Sequence, residues 1–235
     1  FDATMNANIY VDGLGGTNTL SVYGKSIAEN AAFDETSVHV NESGVYDIFA
    51  QGFGNAYVYG GGGADTAQIL GSAGNDNFYT NESYTYLRGN DGSFLNYLKD
   101  FNEISVDVSG DAGIDTAYMY DGANDDILIA GEAQATLDYS SNILPGVNIT
   151  ATGFDRVDAY GQNGGTDQAT LNGSSGDDTF TGLTTYAYLT GNGGAYVNYV
   201  KGFDNVTADV SGTTGSDTAK LFDGAGDDDL QAGET

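Results

Sequence analysis

Displaced by 102 residues, this sequence falls on itself: residues 63–133 align with 165–235 without a gap, and about half of the positions are identical. GSAGNDNF at 71–78 meets GSSGDDTF at 173–180, and DTAYMYDGANDD at 115–126 meets DTAKLFDGAGDD at 217–228. A shorter period lies inside the long one. Gly63, Gly113, Gly165 and Gly215 each open a Gly-x-Asp, at spacings of 50, 52 and 50 residues. The module opens on Phe-Asp/Asn (Phe53-Gly in the earliest copy), passes a glycine turn into Asp-Thr-Ala-x-Leu, and reaches a second turn ending in Gly-Asp-Asp. Its opening recurs at Phe53, Phe101, Phe154 and Phe203. A unit this small cannot bury a face alone, whereas stacked neighbours bury a continuous core. The expectation is one continuous array over 1–235, with modules near 1–52, 53–100, 101–153, 154–202 and a partial 203–235. Residues 25–44 match worst and read as a divergent coil or an insertion. The Phe-Asp opening and the AGET ending, which matches an internal AGEA, read as a piece of a longer array.

Within each module, short runs rich in Val, Thr, Tyr, Phe and Leu recur about every ten residues, each followed by Gly, Asn or Asp. Examples are 169–172, 178–181, 186–190, 196–201 and 206–210. β-Branched and aromatic residues suit a half-buried pleated surface. No window carries an apolar stripe of helical period. The spacing predicts an all-β fold, a repetitive parallel β-helix or β-solenoid built from modules of about 51 residues, two coils to a module. A β-propeller and tandem small β-sandwiches are the rival arrangements, because four strands in about 40–50 residues also make a propeller blade.

Composition removes several function classes. With 6 Lys and Arg against 34 Asp and Glu, the net charge is −28, and nucleic acid requires clustered cations. There is no Cys and a single His, so thiolate and histidine-rich metal centres and cysteine nucleophiles are excluded. No apolar run reaches the ~18 residues of a spanning helix, and no basic-apolar leader opens the sequence.

The aspartates of the two turns lie 11 residues apart, as Asp65 with Asp76, Asp115 with Asp126, Asp167 with Asp178, and Asp217 with Asp228. These eight are the candidate metal ligands. The turns GSAGNDNFY and GSSGDDTFT resemble the calcium-binding nonapeptide of RTX proteins. That resemblance implies calcium as cofactor, held by the Asp carboxylates and turn carbonyls between stacked turns, since calcium takes six to eight hard oxygens. The residues also admit a plainer reading, in which Asp and Asn beside Gly cap turns through their own backbone. Over almost the whole chain, phrases such as GIDTAYMYDGANDDIL and GSDTAKLFDGAGDDDL resemble repeats of very large secreted and surface proteins of bacteria, planctomycetes in particular. This resemblance implies an extracellular or cell-surface location and a structural or adhesive role.

Parallel β-helices also carry polysaccharide-degrading enzymes, which need two carboxylates in distinct environments. Here the acids recur in every module, whereas an active site is normally unique, so a non-enzyme is expected. His39, amid alternating apolar residues, reads as a solvent-facing strand residue, and the glycine run 60–63 as a tight turn, since no Lys-Ser/Thr follows. Tyr84, Tyr86 and Tyr97 recur as Tyr186, Tyr188 and Tyr199. They form either a stacked aromatic ladder or a glycan-stacking surface. Sequons stand at Asn41, Asn81, Asn148, Asn172 and Asn205. The chain therefore reads as an acidic extracellular structural repeat protein, a segment of rod, fibre or surface layer that self-associates and takes up calcium. It is expected to have no nucleic-acid partner and no membrane insertion. An adhesin binding glycans is the alternative, and a β-helical polysaccharide enzyme stands behind it.

Overall fold

The structure, a computed structural model, describes residues 7–110, 112–139, 146–210, 214–222 and 224. Strands account for nearly all regular structure among them, with one short 3₁₀ turn at Asn192–Gly194. In chain order the strands are β1 (Ala7–Asp12), β2 (Thr19–Tyr23), β3 (Asn30–Phe33), β4 (Ser37–Glu42), β5 (Tyr46–Gln51), β6 (Asn55–Tyr59), β7 (Thr66–Leu70) and β8 (Asp76–Asn81). They continue as β9 (Tyr84–Gly89), β10 (Leu95–Lys99), β11 (Glu103–Asp107), β12 (Thr116–Tyr120), β13 (Asp126–Ala130), β14 (Gln134–Tyr139) and β15 (Val147–Thr152). The last seven are β16 (Arg156–Tyr160), β17 (Gln168–Asn172), β18 (Thr179–Gly182), β19 (Tyr186–Gly191), β20 (Tyr196–Lys201), β21 (Asn205–Asp209) and β22 (Thr218–Leu221).

Two 11-stranded sheets face each other across one core. The first runs β1-β5-β4-β3-β7-β11-β15-β14-β13-β17-β21, and the second β2-β6-β10-β9-β8-β12-β16-β20-β19-β18-β22. The fold is a β-solenoid, the first of the arrangements that the repeat predicts, and neither a propeller nor a row of sandwiches. Coil-to-coil neighbours such as β7 and β11, or β12 and β16, pair parallel and in register. Each module adds one feature that the period does not spell out. Three consecutive strands stay in one sheet as an antiparallel meander, as in β8-β9-β10, and this meander runs back toward the preceding coil, bringing β10 beside β6. The poorly matching stretch 25–44 supplies β3 and β4, the start of one such meander.

The meander explains why there are two periods. A module holds five strands, an odd number, shared between two sheets. The group β3–β7 puts four strands in the first sheet and one in the second, while β8–β12 does the reverse. Each step of about 51 residues therefore exchanges the sheets, and the 102-residue step restores them. Five strands per sheet at about 4.8 Å make that long step about 24 Å.

Alternation fills the core. In β9, the burial of YTYLRG alternates residue by residue, with Leu87 fully inaccessible, and Phe78, Leu98, Met119, Leu137, Ile149, Leu171 and Leu189 are buried as completely. Each such side chain contributes roughly 1.5–3 kcal/mol by leaving water. The module-opening Phe101 and Phe154 are buried at 3% and 5% exposure, and the Phe154 ring lies 5.8 Å from that of Phe78. No helix of the described residues is long and apolar enough to cross a membrane.

Candidate functional site

The repeated acids sit at the corners, where the chain passes from one sheet to the other. Asp76, Asp126 and Asp178 each accept the N–H of the residue four before, from Ser72 (2.7 Å), Gly122 (2.6 Å) and Ser174 (2.8 Å). Glu29 does the same for Lys25 at 2.8 Å. Their own N–H groups donate to the Gly-x-Asp carboxylate of the adjacent coil. Glu29 reaches Asp65 (2.7 Å), Asp76 reaches Asp115 (2.6 Å), Asp126 reaches Asp167 (2.9 Å) and Asp178 reaches Asp217 (3.0 Å). The ladder climbs one rung further. Asp65, Asp115 and Asp167 donate their N–H groups to Asn102 (3.0 Å), Asp155 (2.8 Å) and Asp204 (2.8 Å), the residues that follow the module-opening Phe. The first acid or amide of the second turn is used as well, because Asn75, Asp125 and Asp177 accept from Ile114, Thr166 and Ser216. Thus each of these turn acids and amides accepts a backbone N–H at a corner.

This arrangement re-pairs the candidate ligands. Asp65 and Asp76 are neighbours in sequence but enter different sheets. The residues that pair, backbone N–H to carboxylate, are Asp76 with Asp115, Asp126 with Asp167 and Asp178 with Asp217. Asp228 lies outside the described residues. The glycine of Gly-x-Asp has a matching cause. At Gly165 the backbone has φ +97°, and a Cβ would run into the Asn124 carbonyl of the adjacent corner.

Among the described residues, one set of three carboxylates converges: Asp121, Asp126 and Asp167, all buried, with ligand oxygens within 4.8 Å of one another. Asp121 was not legible as a ligand from its own motif. Its signal is positional, since the corresponding corners carry Gly24, Gly71 and Gly173, while the 102-residue equivalent is again an acid, Asp223. Asp121 accepts from the Asn163 backbone N–H at 2.8 Å and from its side chain at 2.9 Å. Burial pushes the Asp167 carboxyl up, and the negative charges of Asp121, Asp204 and Asp125 add to it. Three buried hard oxygens this close together suit a hard cation.

The Glu29 corner differs from the others. Glu29 is 1% exposed and Asp65 is 0% exposed, and Glu29 Oε2 and Asp65 Oδ2 have no hydrogen-bond donor. Burial, followed by the neighbouring Asp65 carboxyl, pushes the Glu29 pKa up from 4.5 to about 7.

The two outer faces are unlike. Side chains of the second sheet form two adjoining tyrosine rows. The middle row passes through Tyr57, Tyr97, Tyr86, Tyr79 and Tyr118, is interrupted by Asp158, and resumes at Tyr199 and Tyr188. The flanking row holds Tyr23, Tyr59, Tyr84, Tyr120, Tyr160 and Tyr186, with Lys99 between Tyr59 and Tyr84 and Lys201 between Tyr160 and Tyr186. An unbroken path of ring contacts leads from Tyr23 to Tyr188, and no step exceeds 6.4 Å. Many rings are nearly parallel, such as Tyr23 on Tyr59 at 4.8 Å and 5°, so ring faces turn toward one another. Burial pushes the hydroxyls of Tyr97, Tyr120, Tyr160 and Tyr199 up, which keeps them protonated donors. Arg88, Lys99, Arg156, Lys201 and Lys220 share this sheet, five of the 6 basic residues in the chain. The strands of the first sheet carry no Lys or Arg. Their outer face mixes Thr, Asn and Gln with Asp12, Asp47, Glu103, Asp107, Asp138 and Asp209 and with the exposed side chains of Tyr10, Phe49, Leu70, Ile127 and Ile129. His39 lies on that face, 42% exposed, and contacts Asp47.

Comparison of the chain with protein-family models, curated proteins and solved structures finds no match.

Proposed function

We propose that this chain is a length of structural rod, without catalytic activity, belonging to an extracellular or cell-surface protein and lengthened by further modules of the same kind. One observation carries the reading: the polar positions of the repeat are spent on joining one coil to the next. An acid that accepts backbone N–H groups from its own corner and hands its own N–H to the next coil is a structural link, and general acid or base work asks for something else. Phe180, Phe203, Val206 and Leu221, the last of them 56% exposed, line an open apolar recess of about 980 Å³ beside β22, and end-on association through it is the form of self-assembly that this reading expects. Electron microscopy of concentrated protein tests this: filaments with an axial repeat near 24 Å are expected, and Leu221→Asp should shorten them. Particles that stay single at all concentrations refute end-on extension.

Calcium belongs to the same proposal, at the one place among the described residues where three carboxylates converge. Asp121, Asp126 and Asp167 would hold the ion, which would offset three buried negative charges. A ligand bound only by the folded state adds about 2.7 kcal/mol at a hundredfold excess over Kd. Thermal melting should therefore rise with calcium, and rise less in Asp121→Asn. Equal melting in calcium and in chelator removes the ion from the proposal.

A further inference from the structure

The outer face of the second sheet is unlike the rest of the molecule in charge. In a chain of net charge −28 it gathers five of the 6 cations, and the one acid among its outward-facing strand residues, Asp158, is neutralised by Arg156 at 2.7 Å. The acids lie elsewhere, at the corners, in the turns and over the first sheet. Lys99 and Lys201 are exposed and have no ion pair among the described residues. We infer that this tyrosine-lysine face docks on the acidic outer face of the first sheet of a second copy, so that copies layer side by side.

Three observations carry the inference. The first is charge complementarity, between a face with unpaired cations and one whose strands hold Glu103, Asp107, Asp138 and Asp209 with no Lys or Arg. The second is the lattice. Lys99 and Lys201 stand on β10 and β20, five strands apart in the second sheet, and Asp107 and Asp209 stand on β11 and β21, five strands apart in the first. Both separations are the same 102-residue step, about 24 Å, so one apposition satisfies both pairs. A polyanion without this repeat would satisfy them only by accident. The third is area. Ten inter-strand steps of about 4.8 Å by a strand of about 17 Å give a face near 800 Å², the size each partner contributes to a stable interface. The half-buried tyrosine rings would meet a surface that mixes Thr, Asn and Gln with the exposed apolar side chains of Phe49, Leu70, Ile127 and Ile129. Because unlike faces meet, the contact is heterologous and repeats without closing, which yields a layer. The inference does not depend on end-on extension, which uses other residues.

Sedimentation velocity from 10 to 200 µM, values set on the order of a weak interface's Kd, tests it in 0.15 M NaCl, where a Debye length of about 8 Å screens the repulsion between whole bodies more than the contact pairs. The wild type should form larger species that disappear in 1 M NaCl. Lys99→Glu/Lys201→Glu and Asp107→Lys/Asp209→Lys should each associate at least tenfold more weakly. Mixing the two should restore association, because the reversed charges now match. Circular dichroism melting within a few degrees of wild type confirms that these substitutions, including that at the half-buried Asp107, leave the fold intact. A wild type that remains monomeric overturns the inference. So does association that survives both double variants but is lost in Leu221→Asp, which assigns it to the ends. Retention of a monomeric wild type on heparin-agarose, lost in Lys99→Glu/Lys201→Glu, also overturns it and makes the face a site for acidic glycan.

Discussion

Replacing Glu29 with Gln should change how the stability of the rod depends on pH. Glu29 is buried against Asp65, and two of their four carboxylate oxygens have no donor. In the folded chain its pKa stands at about 7, against 4.5 for the free side chain, and the proton serves the pair as a unit. The native state therefore binds a proton that the unfolded chain has released. The stabilisation is fully present below about pH 4.5 and is lost as pH rises to about 7. This difference between folded and unfolded values corresponds to about 3 kcal/mol at most, of which about 2–3 kcal/mol falls between pH 5 and 8. Gln keeps the oxygen that accepts the Lys25 N–H and supplies a donor toward Asp65, with no proton to lose. Urea unfolding of both proteins at pH 5 and pH 8 is the assay. The remaining carboxylates impose a common slope, which cancels in the difference between the proteins. Wild type should lose about 2–3 kcal/mol relative to Glu29→Gln across that interval. Parallel pH profiles would refute the reasoning, because they would mean that Glu29 is ionised in the fold at neutral pH.

Other outcomes follow from the corners. Asp115→Ala leaves the buried Asp76 N–H without its acceptor and should cost about 1–3 kcal/mol in denaturant unfolding, while Asp115→Asn, which keeps the oxygen, should cost under about 1 kcal/mol. Gly165→Ala forces a Cβ into the Asn124 carbonyl at positive φ and should lower stability by more than the ~1 kcal/mol typical of such a backbone position. Asp34 works in the opposite sense to Glu29. Partial burial raises its pKa, but hydrogen bonds from Ser37 and Thr36 outweigh this and hold the carboxyl below its usual value. Its contribution is present above about pH 4 and lost as pH falls further, so acid unfolding of Asp34→Asn should show a shallower slope. Leu189→Ala, in the centre of the core, should cost about 2–5 kcal/mol by the same unfolding assay.

Much of this architecture was legible in the residues. The solenoid followed from period and alternation, and strands such as 196–201 were placed to the residue. The meander was not, because an antiparallel return at Glu82-Ser83 and a parallel crossover at Gly71–Asn75 are both written in Gly, Asn, Ser and Asp. The turn acids were found as a class, yet their partners were drawn along the chain. Asp76 meets Asp115, 39 residues away, instead of Asp65, because the intervening meander carries the next coil back beside β8. Asp121 escaped notice because its corner still turns as a glycine corner does. The tyrosines were visible as a ladder, but their concentration on one sheet together with the cations required the sheet assignment of each strand.

The exchange of sheets at every module has a consequence for how such an array can change length. Inserting or deleting a single module of about 51 residues would leave each strand a competent strand and each corner a competent corner. It would, however, send every downstream tyrosine strand to the opposite sheet, breaking the aromatic stripe and reversing the charge of both surfaces beyond that point. Gain or loss of a 102-residue pair keeps both stripes unbroken. A lineage that depends on its surfaces would therefore tolerate recombination between alternate modules and lose the products of recombination between adjacent ones, so its array lengths would advance by twos.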